Sequence, residues 1–231
     1  MIWITGDKHG DFEEVDAFCY KQKTCVTDTL ILLGDAGINY YTDARGNALR
    51  QHLAQLPITF FCIHGNHEAR PDTLPKMQLQ PAFGGHVYVD ARYPNQLYPV
   101  DGALYTIGTQ KVLVIGGAYS IDKFYRLRHH WEWFEDEQPS SAIKTRTEMA
   151  LKTVGWKVDC VLSHTCPRHA LPLGEIPALD LDLPIDYTTE DWLETLRQQL
   201  SYKKWYCGHF HIDFTLEEMT FLYHQILLFD T

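Results

Sequence analysis

Short apolar runs that end in a polar, glycine-containing turn recur along this chain, and they constrain its fold more than any other feature. Residues 2–5, 29–33 and 58–63 are such runs, and between them residues 11–22 and 42–55 carry apolar side chains at helical spacing. Strands without polar alternation are covered on both faces, and alternation with helices is typical of parallel sheets. The first third of the chain therefore predicts an α/β fold.

The middle of the chain predicts a second sheet of a different kind. Short strands are expected at 87–89, 96–100, 103–107 and 111–115, joined by tight turns. Asp101-Gly102 is a typical hairpin turn, which predicts that the strands on either side of it pair with each other. We expect this sheet to be the more antiparallel of the two.

The last third completes a single domain over residues 1–231, since no repeat, low-complexity tract or linker interrupts the chain. Thr188 is the expected cap of the helix at its position, because threonine side chains accept hydrogen bonds from a first helical turn. The predicted elements are a helix at 140–154, a strand at 159–162, a helix at 188–200, a strand at 204–207 and a closing hairpin at 214–229.

Charge and cysteine content narrow the class of protein. The formal net charge of −10 disfavours non-specific binding to duplex nucleic acid, although a local metal charge would still attract a small anionic substrate. None of the six cysteines forms a CxxC pair, which favours core thiols in a reducing compartment. No signal peptide or membrane span is visible, so we expect a soluble, cytoplasmic protein.

Five polar blocks, each directly after a predicted strand, contain most of the residues suited to chemistry. Ligands of open α/β sheets bind in the crevice at the carboxyl ends of strands, so the five turns are expected to converge there. Carboxylates, an amide and imidazoles as ligands suit manganese, iron or zinc better than magnesium alone. The blocks are Gly6-Asp7-Lys8-His9-Gly10, Gly34-Asp35, Gly65-Asn66-His67-Glu68, Ser163-His164 and Gly208-His209-Phe210-His211.

The order of these blocks over residues 6–211, written DxH, GD, GNHE, H and GHxH, resembles that of the calcineurin-like metallophosphoesterase family. The resemblance implies a four-layer α/β/β/α sandwich of two mixed β-sheets flanked by helices. It also implies a metal-dependent phosphoesterase that hydrolyses a phosphate mono- or diester of small or medium size. Two divalent ions, manganese first and otherwise iron or zinc, are the implied cofactors.

The resemblance further assigns roles to single residues. The nucleophile would be a hydroxide that bridges the two metals, and His67 would be the general acid that protonates the leaving alkoxide. Two carboxylates against two divalent ions leave a positive surplus that attracts phosphate. The implied ligands are Asp7, His9 and His211 for the first metal, Asn66, His164 and His209 for the second, and Asp35 for both.

One block departs from the family pattern. In many relatives the second block continues as GDxxDRG, in which the later Asp steadies the catalytic His and the Arg contacts phosphate. Residues 34–39 of this chain lack both, which argues against the protein serine/threonine phosphatase subgroup. Asn39 and Glu68 are the nearest residues in sequence that would orient His67. The candidate substrate contacts are Lys8, Asn39, Arg126 and Arg128.

Two long connections permit more than one interpretation. Residues 116–137 are either a substrate wall, with aromatic rings for a leaving group and an arginine for phosphate, or a connector whose tryptophans pack on the sandwich. Residues 166–186 either cap the site or form a solvated acidic loop. In the first case Asp180, Asp182 and Asp186 would discourage a polyanionic substrate.

The sequence also permits two alternatives to a small-substrate phosphoesterase. A metal-dependent nuclease is the first, and the acidic composition without a basic stripe counts against it. A non-catalytic protein-interaction scaffold on the same fold is the second, and it predicts lost ligands, whereas every ligand position is filled here.

Overall fold

The computed structural model describes residues 1–172 and 185–229, and in that part of the chain two mixed β-sheets contain thirteen short strands. Sequence order does not follow spatial order, because the chain moves from the first sheet to the second and returns at its end. The strands are β1 (Ile2–Thr5), β2 (Thr29–Leu32), β3 (Thr59–Cys62), β4 (Met77–Ala82), β5 (Gly85–Asp90), β6 (Gln96–Pro99), β7 (Leu104–Ile107), β8 (Gln110–Ile115), β9 (Cys160–Ser163), β10 (Lys204–Cys207), β11 (Phe214–Leu216), β12 (Met219–Phe221) and β13 (Leu227–Leu228).

In the first sheet, the described strands lie in the order β13-β1-β2-β3-β6-β5-β4. The run β1-β2-β3-β6 is parallel, and the neighbours on both sides of it are antiparallel. The three apolar runs that open the sequence are therefore confirmed as parallel strands. Strand β4 was not predicted, because most of its side chains are exposed at the sheet edge and its residues lack an apolar run.

In the second sheet, the described strands lie in the order β11-β12-β10-β9-β8-β7. Strands β8, β9, β10 and β12 are mutually parallel, and only the outer pairs β7–β8 and β11–β12 are antiparallel. The prediction of a more antiparallel second sheet is wrong. Long crossovers join β8 to β9 and β9 to β10, and a crossover of that length returns the chain in the same direction.

The predicted hairpin at Asp101-Gly102 is also wrong. The turn itself forms, with the Ala103 N–H donating to the Val100 carbonyl at 3.2 Å. However, β6 before it belongs to the first sheet and β7 after it belongs to the second. The Asp101 carboxylate is buried and accepts hydrogen bonds from the Gly116 N–H and from Arg70, which anchors the bend between the layers instead of at a solvent-exposed tip.

Helices cover the outer faces of the two sheets. Thr188 is the first helical residue of its helix and not its cap; its N–H and hydroxyl both donate to the Asp186 carboxylate, which takes the role expected of Thr188. The α-helices of the described chain are α1 (Glu13–Gln22), α2 (Ala44–Leu53), α3 (Lys123–Arg128), α4 (Ser141–Thr153) and α5 (Thr188–Arg197), with 3-10 turns at Pro71–Thr73 and Arg168–Ala170.

Three buried clusters show how the layers stack. Residues of both sheets, among them Phe61 and Val114, share one core. The other face of the first sheet packs against α1 and α2 through Val15 and Leu53. The other face of the second sheet packs against α4 and α5, with Trp205 at the centre. This is the four-layer α/β/β/α sandwich that the sequence resemblance implied.

The end of the chain differs in part from the predicted closing hairpin. Strands β11 and β12 form an antiparallel hairpin, but β13 leaves them and pairs with β1 in the first sheet. Five of the six cysteines are buried and all six are free, as expected of core thiols. Among the helices of the described residues, none combines the length and apolar character needed to cross a membrane.

The carboxyl ends of the parallel strands bring the polar blocks together. The register pairs Thr5 with Leu32 and Leu32 with Cys62 in the first sheet, so three turns begin at the same level. Ser163 pairs with Cys207 in the second sheet. The five blocks therefore meet at one edge of the sandwich.

Candidate metal centre

The turns that follow the strands hold several of the expected ligands in left-handed backbone. His9, Asp35, His209 and His211 have φ angles of 47°, 44°, 69° and 54°. Non-glycine residues rarely adopt this conformation, which costs about 1–3 kcal/mol each and concentrates at functional sites. In this backbone conformation the four side chains lie at the edge of the sandwich where the turns meet.

Glycines before the ligands allow the turns to approach each other. A Cβ atom at Gly65 would overlap the Asp35 carboxylate, and one at Gly208 would overlap the Asp7 carboxylate. The residue preceding each of these two expected ligands must therefore be glycine, because a carboxylate from another turn occupies the space of its side chain.

Asp7 lies at the centre with one oxygen unpaired. Oδ1 accepts a hydrogen bond from the His209 N–H at 2.9 Å, whereas Oδ2 is buried and has no hydrogen-bond partner among the described residues. Oδ2 is 3.4 Å from His211 Nε2 and 3.7 Å from His9 Nε2. Burial raises the pKa of Asp7, but the imidazoles around it, His164 first, outweigh burial and leave the pKa below its usual range.

The two histidines beside Asp7 face each other. The Nε2 atoms of His9 and His211 are 2.9 Å apart. Together with a carboxylate oxygen of Asp7 they form a group of three ligand atoms that lie within 4.8 Å of one another. Two imidazole nitrogens that converge on an unpaired carboxylate oxygen are suited to a divalent cation.

A second group forms around His164, which is fully buried. His164 Nδ1 is 2.7 Å from the Leu33 carbonyl oxygen, and because a carbonyl only accepts, Nδ1 carries the proton. Nε2 faces the Asn66 Oδ1 at 2.8 Å and the Asp35 Oδ2 at 3.7 Å, and in the neutral tautomer with its proton on Nδ1 this nitrogen carries the lone pair. Three electron-rich atoms directed at one point are the donor set of a cation. Asp7, Asp35 and His164 offer atoms within 4.8 Å of one another.

Asp35 contacts both groups. Its Oδ1 accepts the His67 N–H at 2.8 Å, which fixes the carboxylate. Its Oδ2 is 3.7 Å from His164 Nε2 and 4.0 Å from His9 Nδ1. The free edge of this carboxylate thus faces one histidine of each expected ligand group.

His209 completes the cluster next to His164, with ring centroids 4.9 Å apart. Burial and then the neighbouring His164 lower the pKa of His209 to about 3. The ring is therefore neutral at neutral pH, and the neutral imidazole is the form that binds a metal.

Comparison with known proteins identifies the family to which this arrangement belongs. The sequence profile of the calcineurin-like phosphoesterases matches residues 1–213. The chain belongs to the calcineurin-like phosphoesterase family. No curated protein sequence matches the chain significantly. Membership implies metal-dependent hydrolysis of phosphate esters, and the Asp and His groups described above are the candidate sites for divalent metal ions.

The orientation of Asn66 in this phosphoesterase is set by residues that the sequence did not single out. Its Nδ2 donates to Ser120 Oγ at 2.9 Å, and Ser120 in turn donates to Glu137 Oε2 at 2.5 Å. Trp133 Nε1 donates to the same Glu137 oxygen at 2.8 Å. Because the amide nitrogen of Asn66 donates to Ser120, the amide oxygen is left pointing at His164. Such outer contacts hold ligands in position in metal sites.

His67 also has partners that differ from the expected ones. Its Nε2 is 3.3 Å from an Arg126 guanidinium nitrogen and 4.0 Å from the Asp122 Oδ1. Asp122 and Arg126 form an i,i+4 ion pair at 2.8 Å. Burial, and after it Arg126, lower the pKa of His67 to about 3, whereas Asp122 acts in the opposite direction. This chain lacks the Asp and Arg of the GDxxDRG pattern. An Asp and an Arg from another part of the chain, Asp122 and Arg126, lie beside His67 instead.

Lys8 and Asn39 do not reach the centre. Lys8 is buried, and its Nζ donates to the Tyr223 carbonyl at 2.8 Å instead of joining the expected ligands Asp7 and His9. The Asn39 Oδ1 accepts a hydrogen bond from Arg50 at 2.9 Å, and its carbonyl accepts the Ala69 N–H. Both side chains form hydrogen bonds within the fold, and their roles as substrate contacts stay predictions.

Glu68 and Arg128 likewise lie apart from the expected roles. Glu68 Oε1 accepts the Gly65 N–H at 3.0 Å and so closes its own turn instead of orienting His67. Its carbonyl is 3.0 Å from His64 Nε2, which makes His64 a packed residue. Arg128 is exposed on α3, outside the cavity wall to which Arg126 contributes.

The structure shows where several residues of the two long connections, 116–137 and 166–186, lie. Within residues 116–137, Trp131 lies in the wall of a cavity, as the substrate-wall interpretation expects. Trp133 instead donates a hydrogen bond to Glu137, as expected of a connector packed on the sandwich. The Asp186 carboxylate accepts hydrogen bonds from the Thr188 N–H and the Gln138 side chain. Asp180 and Asp182 lie outside the described residues.

Proposed function

We propose that this phosphoesterase hydrolyses a phosphate mono- or diester with two divalent cations, manganese first and iron or zinc otherwise. The observation that carries the proposal is the pair of converging donor groups, with a buried unpaired oxygen on Asp7 and the Asp35 carboxylate facing both. Asp7, His9 and His211 would hold one cation. Asn66, His164 and His209 would hold the other, and Asp35 would contact both.

Bound cations would offset the charge of the phosphate and lower the pKa of a water so that it serves as nucleophile. The chain's own residues prepare the site for this chemistry. The His164 ring is buried, and the pKa of His209, lowered to about 3, leaves the His209 ring neutral, with a lone pair for a cation. The aspartates supply two negative charges, so a site with two divalent cations keeps a net positive charge that attracts phosphate.

His67 is the proposed general acid. Its ring lies beside the metal ligands, 5.9 Å from the ring of His9, at the wall of the cavity. The ring is neutral in the ligand-free protein, and a bound phosphate brings the negative charge that favours its protonated form. Asp122 supports that form from 4.0 Å. His67 would then give its proton to the leaving oxygen.

Removal of metal is the experiment that tests the proposal. The chain, stripped with a chelator, is expected to lose hydrolysis of p-nitrophenyl phosphate and bis-p-nitrophenyl phosphate, and manganese is expected to restore at least one of the two. Metal content per chain should rise in parallel with activity. Hydrolysis that is indifferent to the chelator, or a chain that binds no manganese, would contradict the proposal.

Arg126 is the proposed phosphate contact, and Arg128 on the same helix is its matched control. We expect Arg126→Gln to lower kcat/KM about 10- to 100-fold, mostly through KM, because a hydrogen bond between charged groups is worth about 1.5–3 kcal/mol. Arg128→Gln should leave both constants unchanged, since its side chain is exposed outside the cavity. Steady-state kinetics on a manganese-loaded protein checks this; equal losses in the two variants would contradict the assignment.

A further inference from the structure

A cavity of about 710 Å³ opens beside the proposed metal centre, with His9 and His67 in its wall. Cavities of about 300–1,000 Å³ bind organic ligands of substantial size, and a phosphate group alone would leave most of this space empty. The space therefore suits the part of the substrate that is attached to the phosphate.

Aromatic rings form one side of the cavity. Tyr40, Tyr41 and Trp131 line it. The rings of Tyr40 and Tyr41 meet edge to face at 4.6 Å, and Phe134 supports Tyr40 from 6.1 Å, so these rings are held in place by neighbours. Trp131 is 54% exposed, which is unusual for this residue in a folded domain. Trp131 therefore offers an exposed aromatic ring at the wall of the cavity.

A chain of contacts links the aromatic side of the cavity to His67. One guanidinium nitrogen of Arg126 is 3.3 Å from the Tyr40 hydroxyl, and another is 3.3 Å from His67 Nε2. The Arg45 guanidinium, which also lines the cavity, lies 3.6 Å from the Tyr41 ring centroid. The cavity thus combines aromatic rings with two guanidinium groups, those of Arg45 and Arg126, and His67 lies in its wall.

We propose that the substrate is a phosphate ester of a nucleoside, with the nucleobase held among Tyr40, Tyr41 and Trp131. This inference rests on the proposed function, since an acid at His67 requires the leaving oxygen to lie at His67 and the leaving group to extend into the adjoining cavity. Bases stack on aromatic side chains because every base has a π face, and arginine adds a cation–π contribution. The ribose spans the distance between the ester oxygen and the base.

Two matched pairs of substrates test the inference. Adenosine 5′-monophosphate and ribose 5-phosphate have the same primary alkoxide as leaving group and differ in the base; their methyl diesters form the corresponding pair for a diesterase. On the manganese-loaded protein we expect kcat/KM to be about 10-fold or more higher for the member with adenine. Trp131→Leu should remove most of that advantage and leave the ribose compound unaffected, whereas Tyr20→Leu, an exposed ring on α1, should change neither.

The outcomes separate the two proposals. Equal kcat/KM within both pairs, or a Trp131→Leu variant that lowers both members equally, overturns the nucleoside assignment while hydrolysis itself upholds the phosphoesterase. Hydrolysis of p-nitrophenyl phosphate with no turnover of either adenosine ester overturns it as well. If no ester at all is hydrolysed with manganese present, both proposals fail. Because Trp131 is exposed, its replacement is not expected to disturb folding.

Discussion

Asp35→Asn is expected to lower kcat/KM about 10³-fold and to reduce the manganese bound per chain. The substitution keeps the shape of the side chain and an oxygen that accepts the His67 N–H, so the turn is expected to stay in place. What it removes is the negative charge that faces both His9 and His164. Loss of about 4 kcal/mol of charge stabilisation corresponds to a factor of this size.

The measurement pairs steady-state kinetics with metal analysis after dialysis against manganese. Asp191→Asn is the control, because Asp191 is an exposed carboxylate on α5 whose Arg168 partner is 3.7 Å away at the surface. The control should match the parent protein in both readouts. A variant at Asp35 that retains two manganese ions and full activity would show that this carboxylate does not join the cations.

His67→Asn is expected to discriminate between leaving groups. General acid catalysis contributes about 10²–10⁴-fold when the leaving group is a poor one. We therefore expect kcat for an alkyl phosphate to fall about 10³-fold, whereas kcat for a p-nitrophenyl ester, whose leaving group needs no proton, falls less than about tenfold. Manganese content should be unchanged, because His67 is not among the proposed ligands.

The control for this prediction is His86→Asn, at an exposed position on β5 in the first sheet. It should behave as the parent protein with both esters. If His67→Asn slows the activated and the unactivated ester by the same factor, His67 acts on the phosphate or on the cations, and its assignment as the acid is wrong.

The ligand blocks could be read from the sequence because each is tied to a local rule. A buried parallel strand fixes where its turn begins, and parallel strands in register bring their turns to one edge. Thr5, Leu32 and Cys62 do lie level, so Asp7, Asp35 and the turn at Asn66 meet there. The position of each turn directly after a buried parallel strand was sufficient information for this part of the site.

The partners of His67 could not be read in the same way. Sequence neighbours suggested Asn39 and Glu68, yet the contacts come from Asp122 and Arg126, more than fifty residues further along the chain. One signal was available, since an Asp and an Arg at i,i+4 spacing in a helical segment predict a rigid ion pair. The local sequence, however, does not predict that this ion pair lies beside His67.

The connection between the sheets shows the same limit. Asp101-Gly102 has the composition of a hairpin turn, and it does make a turn. Whether the next strand pairs with its predecessor depends on the buried contacts of Asp101 with Arg70 and Gly116, which are distant in sequence. The composition of a turn predicts that the chain bends, whereas tertiary contacts determine which sheet the next strand joins.

Anomalous diffraction from crystals grown with excess manganese would show whether two cations share the Asp35 carboxylate. We expect two anomalous peaks about 3.5–4 Å apart, one beside His9 and His211, the other beside His164 and His209, with Asp35 between them. A single peak, or none with Asp7, Asp35 and His209 turned away from one another, would contradict this expectation.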